Sequence, residues 1–301
     1  MKIGLAVAVG NSARRDMGFA IAIAQGIESI GFNSMYLPEH VVFFDAKDYD
    51  SAYPYTDDGA PPWKEGMGVF DPLMTTACVS QHTKTLRFAT SVMILPQRPA
   101  LATAKEVMTL DHITGGRFDF GVGSGWSAEE YAALGVSFDH RGTRFDDYIR
   151  AIRATWAEPR SSYEGKFVSF QNAVMLPQPV TPGGPPFLIG GDSDAALRRA
   201  ARLGDGWYGW WKKYELADQV GKLREHLKAE GRENDPKFST RVGIPFEGTP
   251  DQLPAKVEEA RRCGIEEFVI SVPISSKSMD RDLQTWAAAA GVVSTGDAAA
   301  A

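Results

Sequence analysis

Eight short apolar runs, each followed by a stretch of helical periodicity, recur from one end of the 301-residue chain to the other. They are Lys2–Val9, Ser34–Leu37, Arg87–Leu95, Arg117–Val122, Pro186–Ile189, Gly206–Gly209, Ser239–Ile244 and Glu267–Val272. Several are continuous rather than alternating, the pattern of strands buried on both faces of a parallel sheet. Between them Phe19, Ile23, Ile27 and Ile30 recur every three or four residues, as do Phe145, Ile149, Ile152 and Trp156, each set making one apolar helix face. Leu197, Ala200 and Leu203 repeat the spacing behind Asp192 or Ser193, either of which can serve as N-cap. Eight strand-then-helix units with right-handed crossovers close most simply into an α/β fold of the TIM type, a (β/α)8 barrel. A doubly wound open sheet has the same ingredients and is the rival.

Two segments break the rhythm. Val41 to Asp71, rich in Tyr, Asp, Gly and Pro, is a long connection after the second strand, and loops of that length in compact domains are usually lids or binding loops. Tyr163 to Pro185 reads as a strand pair, Lys166–Phe170 and Val174–Leu176, followed by a proline-rich run. It is expected as an excursion between the fourth helix and the fifth strand, so residues 1–292 are read as one domain. The stretch 293–301, ending in four alanines, is expected to be a frayed tail.

With 44% apolar and 23% charged residues the chain can bury a large core, and a formal net charge of −6 argues against nucleic acid or an anionic membrane as partner. Cys78 and Cys263 have no C-x-x-C spacing and no H-E-x-x-H pattern occurs, so neither a disulfide framework nor a metal site is suggested. The apolar start is short and runs into Arg14-Arg15-Asp16 rather than a small-residue cleavage site, so it is read as a buried strand of a cytoplasmic protein.

In a barrel of this type function gathers at the C-terminal ends of the strands. That rule selects Pro38-Glu39-His40 after the second strand, Ser91-Val92 with Gln97-Arg98 after the third, and Gly123-Ser124-Gly125-Trp126 after the fourth. The fifth delivers Gly190-Gly191-Asp192-Ser193, and the sixth Trp207, Trp210 and Trp211. Glycine loops let backbone amides approach an anion or a flat cofactor, or serve close packing alone. His40 is the candidate for proton chemistry, or else a hydrogen-bonded histidine at a strand end; Glu39 is its catalytic companion or a salt-bridge partner. The indoles suit the face of a planar ring, or the core. His82, His112, His140 and His226 are expected to be structural, and Asp111 is placed to pair with Arg117 across the Gly115-Gly116 turn.

At these residues the sequence resembles the bacterial luciferase-like superfamily of flavin- and deazaflavin-dependent oxidoreductases. The likeness is carried by Leu110-Asp111-His112-Ile113-Thr114-Gly115-Gly116-Arg117 leading into Gly121-Val122-Gly123-Ser124-Gly125-Trp126. Glu129-Glu130-Tyr131, Ala133-Leu134-Gly135, Arg141-Gly142-Thr143-Arg144, Pro185–Gly191 and Gly204-Asp205-Gly206-Trp207 continue it in order. Leu37-Pro38-Glu39-His40 is similar to the branch that binds coenzyme F420. The resemblance implies a barrel with an inserted excursion, usually dimeric, with its cofactor at the mouth. It places Ser91 and Val92 at a bulge or non-prolyl cis peptide against the cofactor ring, with Gly123, Ser124 and Gly125 near its side chain. Gly190, Gly191, Asp192 and Ser193 form the second contact loop, and His40 lies close to the reactive ring carbon. The lid aligns with no known substrate pocket.

The expected function is hydride transfer between F420 and a small organic substrate, with an F420 or flavin reductase as possible supplier of reduced cofactor. An FMN-dependent monooxygenase using dioxygen is the alternative, and a non-catalytic cofactor-binding barrel a further one. A Rossmann-type dehydrogenase is set aside, because the third glycine of that fingerprint would fall at Trp126.

Overall fold

The computed structural model describes residues 1–10, 16–63 and 66–292. The expected tail, 293–301, lies outside the described residues. The eight apolar runs form β1 (Lys2–Ala6), β2 (Ser34–Leu37), β3 (Arg87–Thr90), β4 (Phe118–Gly123), β5 (Phe187–Gly190), β6 (Gly206–Trp210), β7 (Ser239–Pro245) and β8 (Glu267–Ser271). Each pairs in parallel with the next, and β8 returns to β1 through Lys2 opposite Glu267, so the sheet closes into a barrel. Closure removes the open-sheet rival.

Around the ring lie α1 (Met17–Ile30), α2 (Pro72–Val79), α3 (Ala100–Thr114), α4 (Ala128–Ala133), α5 (Arg141–Ala157), α6 (Asp194–Leu203), α7 (Leu216–Ala229), α8 (Leu253–Arg262) and α9 (Met279–Ala290). Their apolar stripes pack on the outward residues of the strands; Ile23, Ile27, Ile149 and Ile152 are fully buried there, with Phe118, Phe120 and Phe187. Ser193 rather than Asp192 caps α6, accepting from the Ala196 amide.

Period-two alternation sends the other residues of each strand into the lumen. At the N-terminal end these are charged. Asp119 is ion-paired with Arg87 and with Arg241 at 2.6 Å, and Arg241 reaches Glu267 at 3.1 Å. Glu267 also accepts from Asn33 at 2.7 Å, Ser34 at 2.5 Å and Tyr36 at 3.0 Å. Above this layer Tyr36, Ala89, Leu188, Tyr208 and Val269 form a small apolar plug, with the Tyr36 and Tyr208 rings stacked at 5.2 Å. Toward the C-terminal end β3 and β4 approach so closely that a β-carbon on Gly121 would stand 1.8 Å from the Thr90 carbonyl oxygen.

Several boundaries differ from expectation. The first strand stops at Ala6. The run Arg87–Leu95 is broken after Thr90 by a cis Ser91–Val92 peptide, and Met93–Ile94 resumes as a short extra strand beside β4, outside the ring. The excursion is a hairpin of Arg160–Glu164 with Ser169–Val174, not Lys166–Phe170 with Val174–Leu176. Its turn falls within 165–168 because the Asp147 carboxylate gathers the amides of Phe167 (2.6 Å) and Val168 (3.1 Å) and the Tyr163 hydroxyl (2.6 Å). Asp111 does not pair with Arg117. It accepts from the Thr181 amide and hydroxyl at 2.7 and 2.8 Å, pinning the excursion to α3, while Arg117 donates to the carbonyls of Ser80, Leu86 and Thr114.

Breaking a buried ion pair on one side leaves an uncompensated charge. Arg241→Met should therefore cost about 3–5 kcal/mol in urea denaturation at neutral pH. Burial pushes the Asp119 carboxyl up, but Arg241 and Arg87 outweigh it and hold it below the usual range, so its pairing is lost as pH falls through that depressed value. The penalty of the variant should shrink in acid; a penalty independent of pH would contradict this account.

Candidate functional site

The strand ends selected from the sequence come together. Glu39 and His40, Ser91 and Val92, Gly123 through Trp126, and Gly190 through Ser193 all line one cavity of about 760 Å³ at the C-terminal mouth. That volume suits a cofactor or drug-sized ligand. Its floor is Val92, wedged between two bare backbones: a β-carbon on Gly123 or on Gly190 would lie 2.8 Å from a Val92 methyl. Tyr208, whose hydroxyl faces Ser91, completes the floor. A flat, backbone-lined floor of this kind accepts a planar ring, and the Gly190–Ser193 loop leads into the N-terminus of α6, where amides favour an anion.

His40 is partly buried, and its Nδ1 lies 3.0 Å from Glu130 Oε2. Glu130, wholly buried on α4, was not among the sequence candidates. Its context, Ser127-x-x-Glu130, spells a capping box, in which the glutamate would turn back on its own helix. Ser127 does cap α4, accepting from the Glu130 amide, but the Glu130 carboxylate turns to His40 and to the amides of Val41 (2.7 Å) and Val42 (3.3 Å). Burial pushes Glu130 up, yet these hydrogen bonds and the His40 ring bring it below the usual carboxylate range.

Glu39 is 5% exposed and its carboxylate is engaged: it accepts from the Ile94 amide at 2.6 Å and from Arg98 at 3.0 and 2.5 Å. Arg98 also holds Asp71 at 3.0 Å, so one guanidinium ties the two ends of the lid together. Arg98 therefore does not line the mouth. The arginine that does is Arg141, at the start of α5, which bonds the Gly125 carbonyl at 3.3 Å and stacks on Phe138 at 3.8 Å.

Of the three indoles expected at the mouth, only Trp210 lines the cavity. Trp207, three residues earlier on β6, points outward and is fully buried in the core, as Trp211 nearly is. The other two cavity indoles are Trp126 and, from the lid, Trp63; their ring centroids are 5.8 Å apart. Tyr49 and Tyr53 of the lid pack on both, and Phe43 and Trp63 lie 4.9 and 5.3 Å from the His40 ring. His112 and His226 have structural partners, the Gln178 carbonyl and Asp194, as expected. Among the described residues no cluster of His, Cys, Asp and Glu could hold a metal ion, and no helix is long and apolar enough to cross a membrane.

Asp192 is the unusual acid of the cavity. It is 8% exposed and accepts from the Trp210 amide at 3.1 and 3.2 Å, with the Tyr55 hydroxyl of the lid as a further partner. Burial outweighs these bonds and raises the carboxyl from 3.8 to about 7.

The chain matches the family model for luciferase-like monooxygenases over residues 1–297. An uncharacterised protein of Mycobacterium tuberculosis is 30% identical over 252 residues, covering 84% of this chain and 86% of its own length. The FMNH2-dependent dimethylsulfone monooxygenase of Pseudomonas putida is 36% identical over 153 residues, 50% of this chain and 42% of that enzyme. An F420-dependent secondary alcohol dehydrogenase, solved with an F420–acetone adduct, has the same fold: TM-score 0.76 over 96% of this chain and 98% of that one, at 14% identity.

The raised Asp192 has a measurable cost. The folded chain keeps a proton that the unfolded chain releases above its own value, so stability falls as pH rises from 3.8 to about 7. At 1.36 kcal/mol per unit that is on the order of 4 kcal/mol. Asp192→Asn should melt above the native protein at pH 8 and converge with it near pH 4; a difference that ignores pH would refute the assignment.

Proposed function

Because the chain belongs to the luciferase-like monooxygenase family, we propose that it is an oxidoreductase transferring a hydride between coenzyme F420 and a small organic substrate, with His40 handling the accompanying proton. The observation that carries this reading is the placement of His40: one ring nitrogen faces a buried carboxylate and the ring lines the cavity above the Val92 floor. When bound there, the deazaflavin would supply the hydride acceptor or donor.

The chain's own residues do the rest. Val92, flanked by Gly123 and Gly190, which add no side chains of their own, offers the ring a floor. The amides of the Gly190–Ser193 loop, with Arg141 across the mouth, suit a phosphate-bearing chain. With its carboxyl raised to about 7, Asp192 within that loop keeps its proton at lower pH and repels an anion less than an ordinary aspartate would. Glu39 acts by position, fixing β2 against Arg98 and Ile94 so that the next residue projects into the cavity. His40 gives or takes a proton at the substrate as the hydride is added or removed, so one hydride and one proton, two electrons and two hydrogens in all, balance in either direction. The aromatic lid shields that exchange from water. A homodimer served by a separate F420 or flavin reductase fits the same reading.

A second reading is an FMN-dependent monooxygenase, favoured by the 36% identity to the dimethylsulfone enzyme. Fluorescence titration separates the two. Tight binding of F420 with little affinity for FMN is the expected result, and preference for FMN with oxygen uptake on turnover would replace the first reading by the second. Binding of neither would leave a barrel without redox function. Under the F420 reading, His40→Gln should retain cofactor binding and lose about 10²–10⁴-fold in kcat, the usual worth of a general acid or base.

A further inference from the structure

The first turn of α4 lies under the lid and holds it through two adjacent carboxylates. Glu129 Oε1 accepts from the amides of Asp50 (2.8 Å) and Ser51 (2.9 Å), and Ser51 Oγ accepts in return from the Ala128 amide at 3.0 Å. Glu130 Oε1 accepts from Val41 and Val42, the first residues of the lid. Glu129 spends its other oxygen on the Ser127 hydroxyl at 2.8 Å, whereas the other oxygen of Glu130 meets His40 Nδ1 at 3.0 Å. Its side chain is wholly buried, so no water competes for either oxygen.

We propose that Glu130 is the positioning residue of the site, holding His40 as the Nδ1–H tautomer with bare Nε2 turned to the substrate, and setting the lid entrance with the same carboxylate. An ionised carboxylate can only accept. The proton shared between Glu130 and a neutral His40 therefore belongs to Nδ1, and Nε2 is left as the acceptor. The hydrogen bonds that hold Glu130 below the ordinary glutamate range keep it ionised at neutral pH. Because His40, Val41 and Val42 are consecutive, one side chain fixes the ring and the backbone that follows it. The lid cannot slide at this end without disturbing the histidine. This assignment rests on the proton role of His40, but its test needs neither cofactor nor turnover.

Glu130→Gln separates the two tasks. A glutamine oxygen can still accept from Val41 and Val42, while its amide must donate to His40 Nδ1 and so drive the ring proton to Nε2. Nitrogen-15 NMR of histidine-labelled protein at a pH where the rings are neutral, with His40→Gln used to assign the signal, reads the tautomer directly. The native protein should show Nδ1–H with Nε2 unprotonated, and Glu130→Gln should invert the pair. Limited proteolysis within the lid should be unchanged in Glu130→Gln and faster in Glu130→Ala. With the cofactor bound, Glu130→Gln should lower kcat by about 10²–10⁴-fold with little change in KM. A native His40 carrying its proton on Nε2, or a tautomer indifferent to the glutamine substitution, would overturn the proposal. The native spectrum alone decides the tautomer should a variant fail to fold. If the tautomer inverts but His40→Gln turns over normally, the proton reading of His40 falls and the positioning by Glu130 stands.

Discussion

Arg241 stands inside the barrel with Asp119 on one side and Glu267 on the other, and the depth of the site depends on that arrangement. An eight-stranded barrel encloses just enough room for side chains. Here the N-terminal part of that room is filled by ions and their hydrogen bonds, the middle by the Tyr36–Tyr208 plug, and the C-terminal end only by Val92 between glycine backbones. The gradient from charge to ring to bare backbone turns a packed barrel into a cup. Two carboxylates without Arg241 would repel one another in a low-dielectric interior, and the closed base beneath the plug would no longer be the favoured packing.

A second tier of charges frames the cup. Arg98 joins Glu39 to Asp71, and through Asp71 joins the lid to the N-cap of α2, where that aspartate also accepts from Leu73 and Met74 at 2.9 Å. Glu129 and Glu130 grip the lid from α4. The side chains that hold the lid are therefore mostly acids receiving backbone amides, which fix a loop's path without dictating its side chains.

The barrel was legible because its signals are local. Continuous apolar runs mark doubly buried strands, and the rule that function sits at strand C-termini led to both glycine loops, His40 and Asp192 without any contact being known. What was not legible is non-local or turns on parity. The β6 alternation places Tyr208 and Trp210 inward and Trp207 outward, so counting by twos would have removed Trp207 from the mouth. The hairpin Arg160–Glu164 is polar and largely exposed and carries no apolar pattern to read, which displaced its expected position. Tyr55, Trp63 and Arg141 reach the cavity from a loop and a helix start, and Glu130 touches it only through His40, from a short helix. Glu130 even carries the signature of a different role, and Glu39, the more conspicuous acid by sequence, is spent on Arg98.

The posts that hold the lid lie at residues 41–42, at 50–51 and at 71, and the span from 52 to 70 is strung between the last two. That span carries Tyr53, Tyr55, Trp63 and Met67 into the cavity. The closure entropy of a loop grows only as the logarithm of its length, about 0.6 kcal/mol for each doubling. Insertions and deletions between the posts thus cost little in closure entropy, while a methyl group at Gly123 or Gly190 would press on Val92 and shift the floor of the cup. The molecule divides into a part that can drift and a part that cannot. Rewriting the span would change what the cavity admits, and where Tyr55 meets Asp192 and Trp63 meets His40 the change would reach the site beneath.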